Sequence, residues 1–95
     1  MIRYELVNFL PRFDEWVDLE SPADEIRAAV LSWMFTRAEN PYLGVKRTEG
    51  FVNLWYGAVP HTEHGAGDVV VCSYFINESE RAVKCNGFAT LSTPI

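Results

Sequence analysis

The hydrophobic and polar positions of this chain first alternate and then take up a helical period. Apolar and charged residues alternate over residues 2–6, which is the two-residue period of a half-buried strand. After Pro11, the apolar residues Phe13, Trp16 and Val17 recur at helical spacing with acidic residues between them, as on a short amphipathic helix. The pattern therefore predicts one strand followed by a helix of about two turns.

A second and longer helix is predicted to begin within residues 21–25. Ser21 can accept a hydrogen bond from a free backbone N–H group, the proline after it suits the first helical position, and the acids at 24 and 25 suit the positive end of the helix dipole. Its apolar residues form two stripes, one of Ile26, Val30, Trp33 and Met34 and the other of Leu31 and Phe35. Such a helix can bury one stripe on a sheet and the other against the first helix. Asn40, which precedes a proline, is expected to end it.

Beyond Pro41 the pattern becomes that of β-strands. Residues 51–59 and 69–76 are rich in β-branched and aromatic side chains and are bounded by Gly, Pro, Asn and Asp, and both segments are expected to be inner strands. An acidic turn at 77–80 then leads into residues 81–89, the second half of a hairpin. The order of elements predicts an α+β fold with an N-terminal strand, two helices and three antiparallel strands.

The composition limits the classes of protein that remain. With 95 residues, 48% of them apolar and 22% charged, residues 1–95 are expected to form a single globular domain. The net charge of −5 disfavours tight binding to bulk nucleic acid, but residues 1–40 carry eight acids and four bases, whereas residues 41–95 carry five acids and four bases. An anion-binding site is therefore expected in the second part. No apolar stretch is long enough to cross a bilayer and no leader pattern is visible, so we expect a cytoplasmic protein without membrane contact.

Two histidines lie in the glycine-rich loop between the predicted inner strands. His61 and His64 flank Glu63, with Asp68 nearby, and this set of side chains is compatible with a transition-metal site or with acid–base chemistry. A third ligand is not evident from the spacing, and loops often carry solvated histidines, so an ordinary exposed loop is the third interpretation. We expect no metal site and no cofactor.

The two cysteines fall on the predicted hairpin. A tight turn about residues 78 and 79 would place Cys72 directly opposite Cys85, on the sheet face that also carries Val70, Tyr74 and Ile76. Directly opposed cysteines form strained bridges and the cytosol keeps thiols reduced, so both are expected to be small buried residues.

The same register predicts the composition of the opposite sheet face. It places Ser73 beside Lys84 and puts Asn86 on the same side, and Asn53 and Trp55 join them if the preceding strand pairs in step. A large aromatic ring on a polar face usually marks a contact surface. The alternative is a solvated face whose edge lysines discourage aggregation.

Several segments resemble one family of known proteins. They are residues 39–42 after the second helix, 45–47 before the first inner strand, 54–57, 70–76 with the acidic turn, and 81–83. Over nearly its whole length the chain resembles the RelE/ParE superfamily of small toxins from bacterial toxin–antitoxin pairs. The resemblance implies one curved sheet with the helices packed on one face, a cognate antitoxin as partner, and the ribosome, mRNA or another macromolecule as target.

The resemblance also assigns roles to individual residues. In the ribonuclease members a basic residue precedes the first inner strand, and Arg47 with Lys46 matches it, whereas their later arginine falls here at Val71 or Cys72. The candidates for catalysis are Arg47, Lys46, Lys84, His61 and His64, and the candidates for binding are Asn53, Trp55, Ser73, Asn86 and Arg81. The resemblance therefore implies a growth-inhibiting toxin, with a binding or homodimerisation module that has lost the chemistry as the alternative.

Overall fold

A computed structural model describes residues 3–92, which form two helices and one five-stranded sheet. The elements are β1 (Glu5–Val7), α1 (Phe9–Glu20), α2 (Asp24–Thr36), β2 (Lys46–Arg47), β3 (Leu54–Ala58), β4 (Asp68–Asn77) and β5 (Ala82–Ser92). The α+β class is confirmed. Residue 2 of the predicted first strand lies outside the described residues.

The sheet differs from the prediction in its number of strands and in one direction of pairing. Its strand order is β1-β5-β4-β3-β2, and β1 runs parallel to β5 while the other pairs are antiparallel. Parallel neighbours need a long connection, which the two helices and the β2–β4 segment supply here. The edge strand β2 has only two residues and shows no alternation that the sequence could reveal.

The helix boundaries correct the prediction at three places, one of which is the end of α2 at Thr36 and not at Asn40. Helix α1 begins at Phe9 and so contains Pro11, which is tolerated because the first turn of a helix needs no N–H donor at that position. Ser21 does not begin α2: it ends α1 in the left-handed conformation, where its N–H donates to the Val17 carbonyl at 2.9 Å. Helix α2 begins at Asp24, and its acidic first turn is as predicted.

Both helices pack on one face of the sheet. The core formed there contains Phe9, Phe13 and Trp16 from α1, Ile26, Val30 and Met34 from α2, and Val70, Cys72, Tyr74, Ile76, Val83 and Cys85 from β4 and β5. The Tyr74 ring lies at its centre, 6.1 Å from the ring of Phe9 and 6.3 Å from that of Trp33. Every second residue of β4 therefore faces the helices, as the alternation predicts.

The predicted register of the β4–β5 hairpin is wrong. Tyr74 lies opposite Cys85 and Cys72 opposite Phe88, because the turn is longer than assumed and a bulge follows Ser73. The shift is two residues at Cys85 and three at Cys72, and the unpaired bulge residue Asn86 restores the alternation, so both free cysteines are buried as predicted. Burial raises the pKa of the Cys72 thiol well above its usual value.

Candidate functional site

The sheet face opposite the helices, here named the open face, carries no covering element among residues 3–92. The cross-strand pairing assigns to it Glu5, Val7, Lys46, Leu54, Tyr56, Ala58, Val71, Ser73, Phe75, Asn77 and Lys84, and a hydrogen bond to Ser73 adds the bulge residue Asn86. Most of these residues are exposed or half-buried. The open face is the largest continuous part of the sheet that can meet another molecule.

Two rows of side chains cross the open face. In the first, Lys46 lies opposite Tyr56 and Tyr56 opposite Ser73, whose hydroxyl oxygen accepts a hydrogen bond of 2.9 Å from the amide of Asn86. In the second, Phe75 lies between Leu54 on β3 and Lys84 on β5. Tyr56 and Phe75 are therefore diagonal neighbours, with a separation of roughly 7–8 Å expected for such positions.

The open face carries two exposed aromatic rings and two lysines that have no partner within the described residues. Tyr56 is 41% exposed and Phe75 is 37% exposed, although both are large aromatic residues. Within residues 3–92, the ammonium groups of Lys46 and Lys84 form no ion pair and no hydrogen bond. Two stackable rings thus lie next to two unpaired positive charges.

The charges of the molecule are divided between its two sides. Helices α1 and α2 contain the acids Asp14, Glu15, Asp18, Glu20, Asp24 and Glu25 but only the bases Arg12 and Arg27. The strands of the open face contribute Lys46 and Lys84 and one acid, Glu5, at the β1 edge, and Glu80 of the β4–β5 turn lines a cavity beside Lys84. Because charges separated by more than about 8 Å are largely screened at physiological salt, the acidic helices weaken the field at the open face less than the net charge suggests.

The predicted catalytic residues are not brought together. Arg47 lies opposite Trp55 and so belongs to the helix side, whereas its neighbour Lys46 belongs to the open face with Lys84. His61 has a left-handed backbone with φ of 65° and lines a groove along α2. These side chains therefore do not form an acid–base pair on one surface.

The loop of His64 is held by its own backbone. The Nδ1 atom of His64 lies 2.7 Å from the carbonyl oxygen of Thr62, and its backbone N–H donates to Asp68 at 2.9 Å. In the range 3–92, no three His, Cys, Asp or Glu side chains group closely enough to hold a metal ion. His64 therefore contacts groups of its own loop, between residues 62 and 68.

The position predicted for Trp55 is wrong. Trp55 lies opposite Tyr74 on the helix side, where it packs against the core and its ring meets that of Tyr42 at 5.1 Å. The error arises because β3 pairs with β4 one residue away from the assumed register, which exchanges the two faces of the strand. Tyr56 occupies the open face instead, and with Phe75 it is the residue that the sequence interpretation missed.

Asn53 lies at the edge of the open face. Its backbone is left-handed, with φ of 64°, and its carbonyl accepts from the N–H of Ile76 at 3.2 Å. Asn53 lines a cavity of about 300 Å³ together with Phe75 and Lys84. Of the five predicted binding residues, Ser73 and Asn86 are joined by a hydrogen bond on the open face, and Asn53 lies at its edge beside Phe75 and Lys84.

Arg81 belongs to a separate cluster, here named the tyrosine clip, that joins three segments of the chain. Glu78 Oε2 accepts from the hydroxyl of Tyr4 at 2.7 Å and from that of Tyr42, and Arg81 contacts Glu78 Oε1 at 3.3 Å and the Tyr4 hydroxyl at 3.1 Å. The clip connects the residue before β1, the loop after α2 and the β4–β5 turn. The contacts with Glu78 and Tyr4 explain the position of Arg81, and no ligand is needed to explain it.

The contacts of the tyrosine clip predict how the stability of the protein depends on pH. Burial and the Glu78 carboxylate raise the pKa of Tyr42 from 10.0 to about 12, and the hydrogen bonds from Tyr42 and Tyr4 lower the pKa of Glu78. The contribution of Tyr42 to stability is therefore complete below pH 10 and is lost as the pH rises toward about 12, while that of Glu78 is lost as the pH falls through its lowered pKa. We expect Glu78→Gln to lower the pKa of Tyr42, measured from the ultraviolet absorbance of tyrosinate.

The matched control for this prediction is Glu80→Gln in the same turn. Glu80 accepts from the Asn77 amide at 3.1 Å and does not contact a tyrosine. Its substitution should leave the tyrosine titration unchanged. Equal titration curves for the two variants would contradict the assignment.

Comparisons of this chain with protein-family models, curated proteins and solved structures gave no match. Within residues 3–92 there is no helix with the length and apolar character needed to span a membrane. The interpretation of the site therefore rests on the chemistry and geometry of the open face.

Proposed function

We propose that this chain is a toxin-like binding domain that holds a single-stranded segment of RNA on its open face and acts by occupying that RNA rather than by cleaving it. The observation that carries the proposal is the pairing of two exposed rings, Tyr56 and Phe75, with two unpaired cations, Lys46 and Lys84. Proteins that bind single strands combine these two elements, since every base has a face that can stack and every nucleotide has a phosphate. The order of elements that resembles RelE/ParE toxins supports a cytoplasmic role in growth inhibition and an antitoxin partner.

The rows of the open face define a role for each side chain. Tyr56 and Phe75 each stack one base, while Lys46 and Lys84 neutralise phosphates on either side. Beside the rings, on β5, Asn86 donates to Ser73 and keeps its Oδ1 atom free to accept from the edge of a base. An RNA segment crossing the two rows would therefore meet stacking, charge and hydrogen-bonding groups together.

The positions of the basic residues favour binding over cleavage. Attack by a 2′-hydroxyl needs a group that accepts its proton and cations that stabilise the developing charge, all within reach of one phosphate. Arg47 and His61 lie on the helix side of the sheet, away from Lys46 and Lys84. The open face therefore supplies two lysines that can hold phosphates, but not the ring of His61 as an acceptor for that proton.

The test of this function is the affinity of the protein for a short labelled single-stranded RNA, measured by fluorescence anisotropy. Removing one ring by Phe75→Ala should weaken binding by about 5–150-fold, since one stacked base contributes about 1–3 kcal/mol. Two neutralised phosphates should give a slope of about −1.4 for the logarithm of affinity against that of salt, and Lys84→Ala should reduce it to about −0.7.

The matched control is Arg27→Ala, which removes the same charge from the helix side, where Arg27 pairs with Asp24. It should change neither the affinity nor the salt slope. If Arg27→Ala weakened binding as much as Lys84→Ala, the open face would not be the RNA site. Cleavage of the RNA by the purified protein would contradict the proposal of simple occupancy.

Expression in growing bacteria provides the second measurement. The wild-type chain should slow growth, and the double variant Phe75→Ala/Lys84→Ala should restore it, with comparable protein levels checked by blotting. Growth inhibition that persists in the double variant would show that toxicity does not depend on the open face. Normal growth with the wild-type chain would argue against the toxin-like role while leaving the anisotropy result to decide RNA binding.

A further inference from the structure

Helix α2 has an apolar side that faces away from the protein. Its inner residues are buried in the core, but Leu31 is 37% exposed and Phe35 is 52% exposed. The expectation that these two residues pack against α1 is wrong, because α1 lies mainly over β5 and leaves the outer side of α2 uncovered among the described residues. An exposed phenylalanine and leucine on one helix face mark a contact surface.

The exposed side of α2 forms a continuous strip, named here the α2 strip, of Ala28, Leu31, Ser32 and Phe35. These residues have the i, i+3, i+4 and i+7 spacing that aligns side chains along one helix face. The four residues of the strip carry no charge. Near its N-terminal end Asp24 pairs with Arg27, and Glu25 lines the groove beside Ala28 and Ser32. The strip is therefore suited to an apolar partner.

Depressions lie on both sides of the α2 strip. Phe35 lines a cavity of about 270 Å³ together with Leu10 and Pro11 from α1. On the other side, Ala28 and Ser32 line a groove of about 490 Å³. A helix laid along the strip would thus find space for its side chains on either side.

We propose that the α2 strip binds a second copy of this chain, with the two α2 helices antiparallel about a two-fold axis that passes between Leu31 and Ser32. That axis places Phe35 against Ala28 of the partner subunit and Leu31 against Ser32 of the partner subunit. Each contact pairs a large side chain with a small one, so the strip is complementary to itself, as a two-fold interface requires. A partner of unrelated sequence is not expected to present small side chains opposite the large ones of the strip in this order.

The size of the strip sets the strength of the dimer. From Ala28 to Phe35 the helix rises about 10 Å, so the strip and its flanks supply less than the roughly 800 Å² per partner of a standard interface. The dimer is therefore expected to dissociate on dilution. The two open faces would point away from the interface, because α2 and the open face lie on opposite sides of the sheet.

Sedimentation over a series of protein concentrations tests the dimer. The wild-type chain should shift from monomer to dimer as its concentration rises, and Leu31→Glu should raise the dissociation constant at least tenfold. The matched control is Leu19→Glu, since Leu19 is also exposed but lies on α1 outside the strip. A wild-type chain that stays monomeric at the highest concentration, or a Leu31→Glu variant that associates like Leu19→Glu, would overturn the proposal.

An exchange of sizes within the strip tests the antiparallel arrangement itself. Phe35→Ala and Ala28→Phe should each weaken association, because one pairs two small residues and the other two large ones. The double variant Ala28→Phe/Phe35→Ala restores one large and one small residue in each contact and should recover most of the affinity. Failure of the double variant to associate better than both single variants would exclude this arrangement, provided circular dichroism shows that all three are folded. These measurements involve no RNA, so their outcome is independent of the proposed function.

Discussion

Replacement of Arg37 by alanine should lower the melting temperature of this protein by about 12–24 °C, which corresponds to about 3 kcal/mol for a domain of this size. Arg37 is 3% exposed, and its guanidinium donates to the carbonyl of Leu43 at 2.7 Å and to the hydroxyl of Tyr74 at 3.2 Å. It also lies 4.3 Å from the ring centre of Trp33. The alanine variant loses these charged hydrogen bonds and leaves a cavity in their place.

The Arg37 network matters because it fixes the segment between α2 and β2. Tyr74, at the centre of the core, donates its hydroxyl to the Pro41 carbonyl, and Arg37 connects that hydroxyl with the Leu43 carbonyl. Two carbonyls of an otherwise irregular segment thus obtain buried donors, as buried backbone groups require. Loss of Arg37 should therefore loosen the segment that leads into Lys46.

Two further variants distinguish the network from a general effect of removing charge. Arg37→Lys should be intermediate, because an ammonium group cannot reproduce the planar set of donors that reaches several acceptors. Arg27→Ala should shift the melting temperature little, since its ion pair with Asp24 is exposed and such pairs contribute about 0–1 kcal/mol. Equal melting temperatures for Arg37→Ala and Arg27→Ala would show that the buried network contributes no net stability.

The sequence predicted the features that depend on local spacing. The alternation in β4 identified Val70, Cys72, Tyr74 and Ile76 as one buried face, because successive side chains of a strand always point to opposite sides. The buried stripe of α2 followed in the same way from its helical period. The class of fold and the face of each cysteine required nothing more.

The register between strands was not accessible in this way. One bulge after Ser73 and one longer turn changed the partner of Cys72, and a one-residue difference in the pairing of β3 exchanged Trp55 for Tyr56 on the open face. Such differences depend on contacts between distant segments, and both registers have the same local sequence pattern. The sequence therefore placed Lys84, Ser73 and Asn86 on the open face, where the structure also has them, but placed Trp55 there in the position of Tyr56.

The burial of Arg37 was hidden for a related reason. An arginine at the end of a helix normally interacts with solvent and with the helix dipole, and nothing in residues 36–38 indicates otherwise. Only the return of the chain after Pro41 places the Leu43 carbonyl and the Tyr74 hydroxyl around it. The separation of His61 from Lys84 is likewise a result of topology that spacing along the chain does not reveal.

The second large effect is expected at Trp16, whose replacement by alanine should reduce the free energy of unfolding by about 3–5 kcal/mol. Trp16 is 2% exposed and its ring lies 5.8 Å from that of Phe13 and 6.1 Å from that of Phe88. It joins α1 to the end of β5, where β1 no longer covers the strand. The alanine variant leaves a cavity between these rings, and denaturant unfolding followed by circular dichroism measures its cost.

Trp16→Phe should reduce the free energy of unfolding by much less than the smaller size of phenylalanine alone would indicate. Within the described residues the Nε1–H group of Trp16 is buried without an acceptor, and an unsatisfied buried donor costs about 1–3 kcal/mol. Phenylalanine removes that donor while keeping an aromatic ring between Phe13 and Phe88, so the lost contacts are partly offset. The exposed Leu19→Ala on the same helix controls for changes in helix propensity. If Trp16→Phe were as destabilising as Trp16→Ala, the fit of the whole indole and not the burial of an aromatic ring would determine the stability of this layer.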